Sequence, residues 1–225
     1  MNLVRAILFD LDGVLTDTAE LHYRSWQQVA DALSIPFDRH ANEALRGLSR
    51  EESLVRVLGT RAAEFDTAQQ ADISRRKNDL YMEFVAQMSP ADLFPGAREL
   101  LTAAQAAGFK LAVGSSSRNA QRVLDCLGIR PFFHAIVDGV DAPRSKPDPL
   151  VFLTAAERVG ATPGNCVVVE DAESGVAAGL AAGMRVVGLG PAERVGRAHL
   201  VRKCIADLHL ADLRALLDAP LPVAR

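Results

Sequence analysis

Cysteine is scarce: 225 residues contain only three, Cys126, Cys166 and Cys204. An odd number with no C-x-x-C pair offers no disulfide framework, so all three are read as reduced packing residues. Aromatic side chains make up only 5% of the chain, with a single Trp, which leaves no obvious self-association surface and makes a monomer the expectation. Neither sign of charge dominates: 25 Lys and Arg against 28 Asp and Glu leave a net charge of −3. That balance points to no nucleic-acid partner and no acidic membrane surface. No apolar run approaches the ~18–20 residues that span a bilayer. Met1–Arg5 leads into Ala6–Phe9 without the apolar stretch and small-residue cleavage site of a signal peptide, so a cytoplasmic location is expected. Internal repeats and low-complexity segments are also missing.

What is present is an ordinary globular composition, 49% hydrophobic and 24% charged. Apolar runs at Val4–Phe9, Leu111–Gly114, Ala135–Val137, Val167–Val169 and Val186–Leu189 read as buried parallel strands. From residue 95 onward they alternate with helical segments at Gly96–Ala107, Arg118–Leu127, Pro149–Val159 and Ser174–Ala182. That rhythm predicts an α/β fold, a doubly wound parallel sheet with helices on both faces. Between the first strand and Pro95 the chain reads as helix throughout, with apolar residues at helical spacing in Leu21, Trp26, Val29, Ala30 and Leu33, and again in Ile73, Leu80, Tyr81, Phe84 and Val85. This is an inserted α-helical domain, and the crossings at Asp17–Ala19 and Met88–Pro90 form its hinge. A last helix is expected over Ala211–Leu217, followed by a frayed end over Ala219–Val223.

Asp10-Leu11-Asp12-Gly13 follows the first strand directly, at the carboxyl edge where open α/β sheets bind ligands. Glu170-Asp171 ends another strand in the same way. Carboxylates brought this close need a compensating cation or proton. An all-oxygen set without His or Cys suits a hard cation, and Mg²⁺ fits best. Asp171 has a second use open to it, as cap of the helix that follows. Ser115-Ser116-Ser117 leads into a helix, where free N–H groups favour an anion, although serines also cap helices with no ligand present. Lys146, between Ser145 and Pro147, is the cation expected beside the acidic pairs.

Phe9-Asp10-Leu11-Asp12-Gly13-Val14, the Ser115 strand end, Lys146-Pro147 and Glu170-Asp171 stand in an order and spacing that resembles the haloacid dehalogenase-like (HAD) phosphotransferases. Thr16–Glu20, Leu45–Glu51, Arg76–Asp79, Ser89–Asp92 and Pro95-Gly96 are similar to the β-phosphoglucomutase family within it, to about residue 190. The resemblance implies a Rossmann-like HAD core over residues 1–16 and 88–225 with a helical cap domain over 17–87. It implies Asp10 as the nucleophile that forms an aspartyl phosphate and Asp12 as general acid and base. Ser115 and Lys146 would hold the phosphoryl oxygens. Mg²⁺ would be held by Asp10, the carbonyl of Asp12, Asp171 and Glu170. Arg50 would bind the phosphate that is not being transferred. Further substrate contacts would come from Thr18, His22, Trp26, Arg46, Gly47, Ser49 and Lys77 toward the cap, and from Ser116, Ser117, Arg118 and Asn119 in the core. The implied reaction converts β-D-glucose 1-phosphate to glucose 6-phosphate through bound glucose 1,6-bisphosphate. Arg46 departs from the pattern, which often has Lys there, and the two differ in shape and hydrogen bonding.

Four of these residues have simpler readings on their own. Arg50 can pair with Glu51 or Glu52, Lys77 can likewise be a helix-surface charge in the basic run Arg75-Arg76-Lys77, His22 can be a surface residue, and Trp26 can pack in a core. Two other functions keep the same core chemistry or use none of it. One is a HAD sugar-phosphate phosphatase, with water as the final acceptor. The other is a non-catalytic protein that binds a phosphorylated metabolite, against which Asp10, Asp12, Lys146 and Asp171 argue.

Overall fold

β-Branched runs and helical repeats sort into two parts in the computed structural model, which describes residues 4–220. Six strands make one sheet: β1 (Ala6–Phe9), β2 (Lys110–Gly114), β3 (Ala135–Val137), β4 (Cys166–Glu170), β5 (Arg185–Leu189) and β6 (Leu200–Arg202). Their order is β3-β2-β1-β4-β5-β6, and every neighbouring pair is parallel. Side chains alternate between two buried faces, as a period of two requires. Ile7, Phe9, Val167 and Val169 join one hydrophobic cluster with α5 (Ala97–Ala106), α6 (Ala120–Cys126) and α10 (Leu210–Asp218). Ala6, Leu8, Cys166 and Val168 join the other, under α7 (Leu150–Arg158) and α8 (Glu173–Ala181). A short α9 (Ala192–Val195) follows β5.

The strand order reverses between β1 and β4, and a sheet of this kind opens a crevice beyond the carboxyl ends of the strands at that point. Asp10 leaves β1 there and Glu170 ends β4 there, with Phe9 and Val169 side by side in the register. The topology alone therefore brings the two acidic pairs together.

The insertion after β1 contains α1 (Thr18–Ala32), α2 (Arg39–Glu43), α3 (Arg50–Leu58), a 3₁₀ turn (Gly59–Glu64) and α4 (Thr67–Val85). It is the helical cap, with its own small core of Trp26, Val29, Ala30, Leu54, Leu58 and Ile73. Capping boxes at Ser49/Glu52 and Asp66/Gln69 start α3 and α4. The end of α4 belongs to the larger core, because Tyr81 and Val85 are buried against it. The outgoing and returning strands of chain lie side by side: the Thr16 hydroxyl donates to the Asp92 carbonyl at 2.7 Å, and the Phe94 N–H to the Leu15 carbonyl at 2.9 Å.

Some expectations change. β1 starts at Ala6 instead of Val4, where pairing with Lys110 begins. α6 starts at Ala120, so the serine run lies in the turn before it. The insertion is not helix throughout, since its helices are joined by non-helical loops and the 3₁₀ turn. β6 was not visible in the sequence: it has three half-buried residues that pair only with β5 at the sheet edge. Cys166 is buried, but Cys204 is exposed and is not a packing residue. The expected frayed end falls largely outside the described residues. Among the described residues no helix is long and apolar enough to cross a membrane.

Candidate active site

Asp10 sits at the end of β1 with its N–H donated to the Val169 carbonyl at 2.9 Å, so neighbouring strands fix its backbone. Its Oδ1 accepts from Lys146 Nζ at 2.6 Å, and the same ammonium donates to Glu170 Oε1 at 2.6 Å. All three side chains are buried. Burial pushes Asp10 well above the usual carboxylate range, Lys146 pulls it back, and Glu170, Asp12 and Asp171 push it further up. Burial also works against the charge on Lys146, but Asp10 and Glu170 together outweigh it and raise its pKa. Glu170 Oε2 accepts the Ala172 N–H at 2.8 Å, so both of its oxygens are held. Gly175 makes room for it, since a Cβ there would lie on the Glu170 carboxylate.

Asp12 accepts from the Thr18 hydroxyl at the start of the cap. Its Oδ2 lies 3.8 Å from His22 Nε2. On the other side of that ring, His22 Nδ1 is 2.6 Å from Lys77 Nζ. Burial, then Lys77 and Arg50, hold His22 well below its ordinary value, so it is neutral and accepts from Lys77. Burial and Arg50 lower Lys77 to about 7, against the pull of Asp12. Tyr81 stacks on His22 at 4.2 Å between ring centres, and its buried hydroxyl stands beside the Thr18 and Ser117 hydroxyls without a hydrogen bond of good geometry among the described residues. Burial raises the pKa of Asp12 too, which suits a group that carries a proton.

The cap is closed onto the core. Ser116 Oγ donates to the Gly47 carbonyl at 2.9 Å, Asn119 Nδ2 to Asn78 Oδ1 at 2.9 Å, and Arg46 Nη1 to Asp171 Oδ2 at 2.8 Å. Arg118 pairs with Glu51 at 2.9 Å, and Arg50 is held by Asn78 at 2.7 Å, not by Glu51 or Glu52. Under the cap lies a cavity lined by residues of both the cap and the core.

Of the residues singled out in the sequence, Asp10, Asp12, His22, Trp26, Arg46, Gly47, Arg50, Lys77, Ser116, Ser117, Arg118, Glu170 and Asp171 line this cavity. Trp26 does two things at once, packing in the cap core and facing the cavity. Five others stand behind the wall. Lys146 grips Asp10 from beneath, Thr18 holds Asp12, and Asn119 holds Asn78. Ser115 is fully buried and its hydroxyl accepts the Ser117 N–H at 3.1 Å. Ser49 is taken up by its capping box with Glu52, away from the cavity. Sequence reasoning missed Arg194, whose Nε donates to the Asp171 carbonyl at 2.7 Å, and Glu43, which grips Arg46. Arg194 lies far from its partners along the chain, and the i,i+3 spacing of Glu43 and Arg46 marks no site by itself.

One oxygen of each of Asp10, Glu170 and Asp171 can be chosen so that all three lie within 4.8 Å of one another. Among the described residues, Asp10 Oδ2 and Asp171 Oδ1 accept no hydrogen bond. Burial and Glu170 push Asp171 up to about 7, against Arg46, Arg194 and Lys146. Four acidic side chains around one buried lysine leave local negative charge, and two free carboxylate oxygens are what Mg²⁺ takes from a protein. Gly13, at φ +83°, allows this approach, because a Cβ there would run into the Asp171 carboxylate. The residues fit the ion.

Residues 4–183 match the haloacid dehalogenase-like hydrolases. The chain belongs to this family. Within the HAD family it is 43% identical over 209 residues to a β-phosphoglucomutase of Bacillus subtilis, covering 92% of each chain. Its fold superposes with a TM-score of 0.93 on a crystal structure of β-phosphoglucomutase from Clostridium difficile, at 34% identity, covering 96% of this chain and 98% of that one. A HAD relative of different activity, a fructose-1-phosphate phosphatase of Escherichia coli, is 29% identical over 80% of this chain and 94% of its own.

Proposed function

We propose that the protein is a phosphomutase that interconverts β-D-glucose 1-phosphate and glucose 6-phosphate. One observation carries the reading: the cavity that holds Asp10 and Asp12 also holds Arg50 from the cap and Ser117 and Arg118 from the core. A single bisphosphate can meet the nucleophile and a separate set of phosphate donors at once. The likeness to β-phosphoglucomutases extends through the cap that supplies Arg50.

In the first step an Asp10 carboxylate oxygen attacks phosphorus and the bond from phosphorus to the sugar oxygen breaks. Asp12 gives its proton to that leaving oxygen. In the return step Asp12 takes the proton from the 6-hydroxyl of β-D-glucose 1-phosphate, whose oxygen attacks the aspartyl phosphate, frees Asp10 and forms the bisphosphate, which gives up its 1-phosphoryl group in the next first step and leaves as glucose 6-phosphate. Bound β-glucose 1,6-bisphosphate links the two steps by presenting either end. Lys146 orients the Asp10 carboxylate, and Thr18, His22 and Lys77 hold Asp12 in place. Asp10, Asp171, Glu170 and the Asp12 carbonyl would hold Mg²⁺, which would supply charge to screen the phosphate from these carboxylates. The cap over residues 17–87 closes on the core of 1–16 and 88–225 and excludes water. A cytoplasmic location suits a charged sugar phosphate that does not cross membranes.

The test is acid quenching of the protein after mixing with β-glucose 1,6-bisphosphate and Mg²⁺, followed by peptide mass analysis. The expected result is one phosphoryl group on the peptide containing Asp10, and none in Asp10→Asn. A label on another residue, or no label in the wild type, overturns the reading.

A further inference from the structure

Glu43, Arg46, Asp171 and Arg194 form a ring of alternating charge across the boundary between cap and core. Arg46 holds Glu43 side-on, with Nε to Oε2 at 2.9 Å and Nη2 to Oε1 at 3.3 Å, and it directs Nη1 to Asp171 Oδ2 at 2.8 Å. Arg194 closes the ring from the core. Its Nε donates to the Asp171 carbonyl at 2.7 Å, and its Nη atoms lie 3.8 Å from Glu43 Oε2 and 3.9 Å from Asp171 Oδ2. Gly190 leaves space for this guanidinium, since a Cβ there would come within 2.6 Å of Arg194 Nη2. Two members belong to α2 and the loop after it, and two to the core, so the ring exists only while the cap is down.

The arrangement uses the planar fork of arginine: one guanidinium serves three oxygens on two carboxylates, which a lysine ammonium at position 46 would meet only as a point charge. Glu43 and Arg194 do not line the cavity. We propose that Glu43 and Arg194 are positioning residues, which hold Arg46 on Asp171 and so keep the cap closed over the site. The inference rests on the cap opening and closing, as in the reading above, and not on which acceptor finally takes the phosphate. Its chemical logic is local. Glu43 orients Arg46 from the cap side, Arg194 fixes the backbone of Asp171 from the core side, and the two attract each other across the gap.

Trp26 makes the cap observable. It is the only Trp, it is 2% exposed, and it lines the cavity, so acrylamide quenching of its fluorescence reads cap opening with no substrate present. Glu43→Gln and Arg194→Gln should each raise the open-to-closed ratio about two- to five-fold, the effect of losing one partly exposed ion pair. The double variant should exceed the larger single effect by little, because both changes break one ring. Arg194→Lys keeps the charge and loses the Nε geometry, and it should quench like Arg194→Gln. Circular dichroism checks that each variant is folded, and Glu43→Asp serves as a second variant at that position. Wild-type quenching in the folded single variants, or single effects that add independently, overturns the proposal. With sugar phosphate and Mg²⁺, the loosened variants should also release a larger share of inorganic phosphate. Increased quenching in variants of a protein that turns over no sugar phosphate would leave the ring standing and count against the mutase reading.

Discussion

Asp171→Asn should make the metal-free protein more stable at neutral pH, although it removes an ion-pair partner of Arg46. Asp171 is buried beside Glu170 and has a pKa of about 7 in the folded chain, against 3.8 when unfolded. Between those values the folded protein binds more protons than the unfolded one, so this carboxyl's contribution to stability falls as pH rises. The full difference corresponds to about 4 kcal/mol once the pH is above the folded value. The asparagine has no such cost, and Arg46 and Arg194 are each exposed enough to be solvated when it replaces the carboxylate. For a chain of this length that is about 8–16 °C in Tm. The assay is thermal unfolding of both proteins in chelator from pH 4.5 to pH 8. Taking the difference cancels contributions common to both, such as those of His22 and Lys77. The gap should open with pH, at about 1.4 kcal/mol per pH unit. Adding Mg²⁺ should stabilise the wild type and leave Asp171→Asn unchanged. A gap that is flat with pH, or a less stable Asp171→Asn at pH 8, refutes the electrostatic account of the acidic cluster.

Ser49→Ala removes a capping-box hydroxyl and should cost about 1 kcal/mol in urea unfolding while turnover is preserved; a large loss of activity would mean that Ser49 reaches the substrate. Tyr81→Phe deletes a buried hydroxyl that makes no hydrogen bond of good geometry among the described residues, so its Tm should hold or rise, and a loss above about 1 kcal/mol would show that the hydroxyl is bonded to Thr18 or Ser117. Lys146→Ala leaves Asp10 and Glu170 buried without their counter-charge and should destabilise by about 3–5 kcal/mol in urea unfolding; a loss below about 1 kcal/mol contradicts this.

The core of the site was legible because its groups stand next to elements with strong local signals. Asp10 follows a four-residue apolar run and Glu170 closes another, so strand recognition and the ligand rule for open sheets placed them together. Lys146 was recognised, but not that it sits beneath the cavity wall, bridging two carboxylates. Tyr81 passed as one more apolar position in a helix, since its spacing matches a buried stripe and its contact with His22 is tertiary. Ser49 looked like part of a binding motif and is a helix cap, two uses that share the same residue types. Arg194 was invisible because its partners lie far along the chain, and Glu43 because an i,i+3 pair with Arg46 looks like any solvated helix-surface pair. β6 is three residues long, too short for alternation to show.

The central claim is that Asp10 passes phosphate between two positions of one sugar under a closed cap. The most direct test is ³¹P NMR of the protein with Mg²⁺, β-glucose 1-phosphate and a trace of glucose 1,6-bisphosphate, beside Asp10→Asn. The account predicts that glucose 6-phosphate grows while inorganic phosphate stays flat, and that Asp10→Asn produces neither. Inorganic phosphate as the main product contradicts it and makes the protein a phosphatase on the same core.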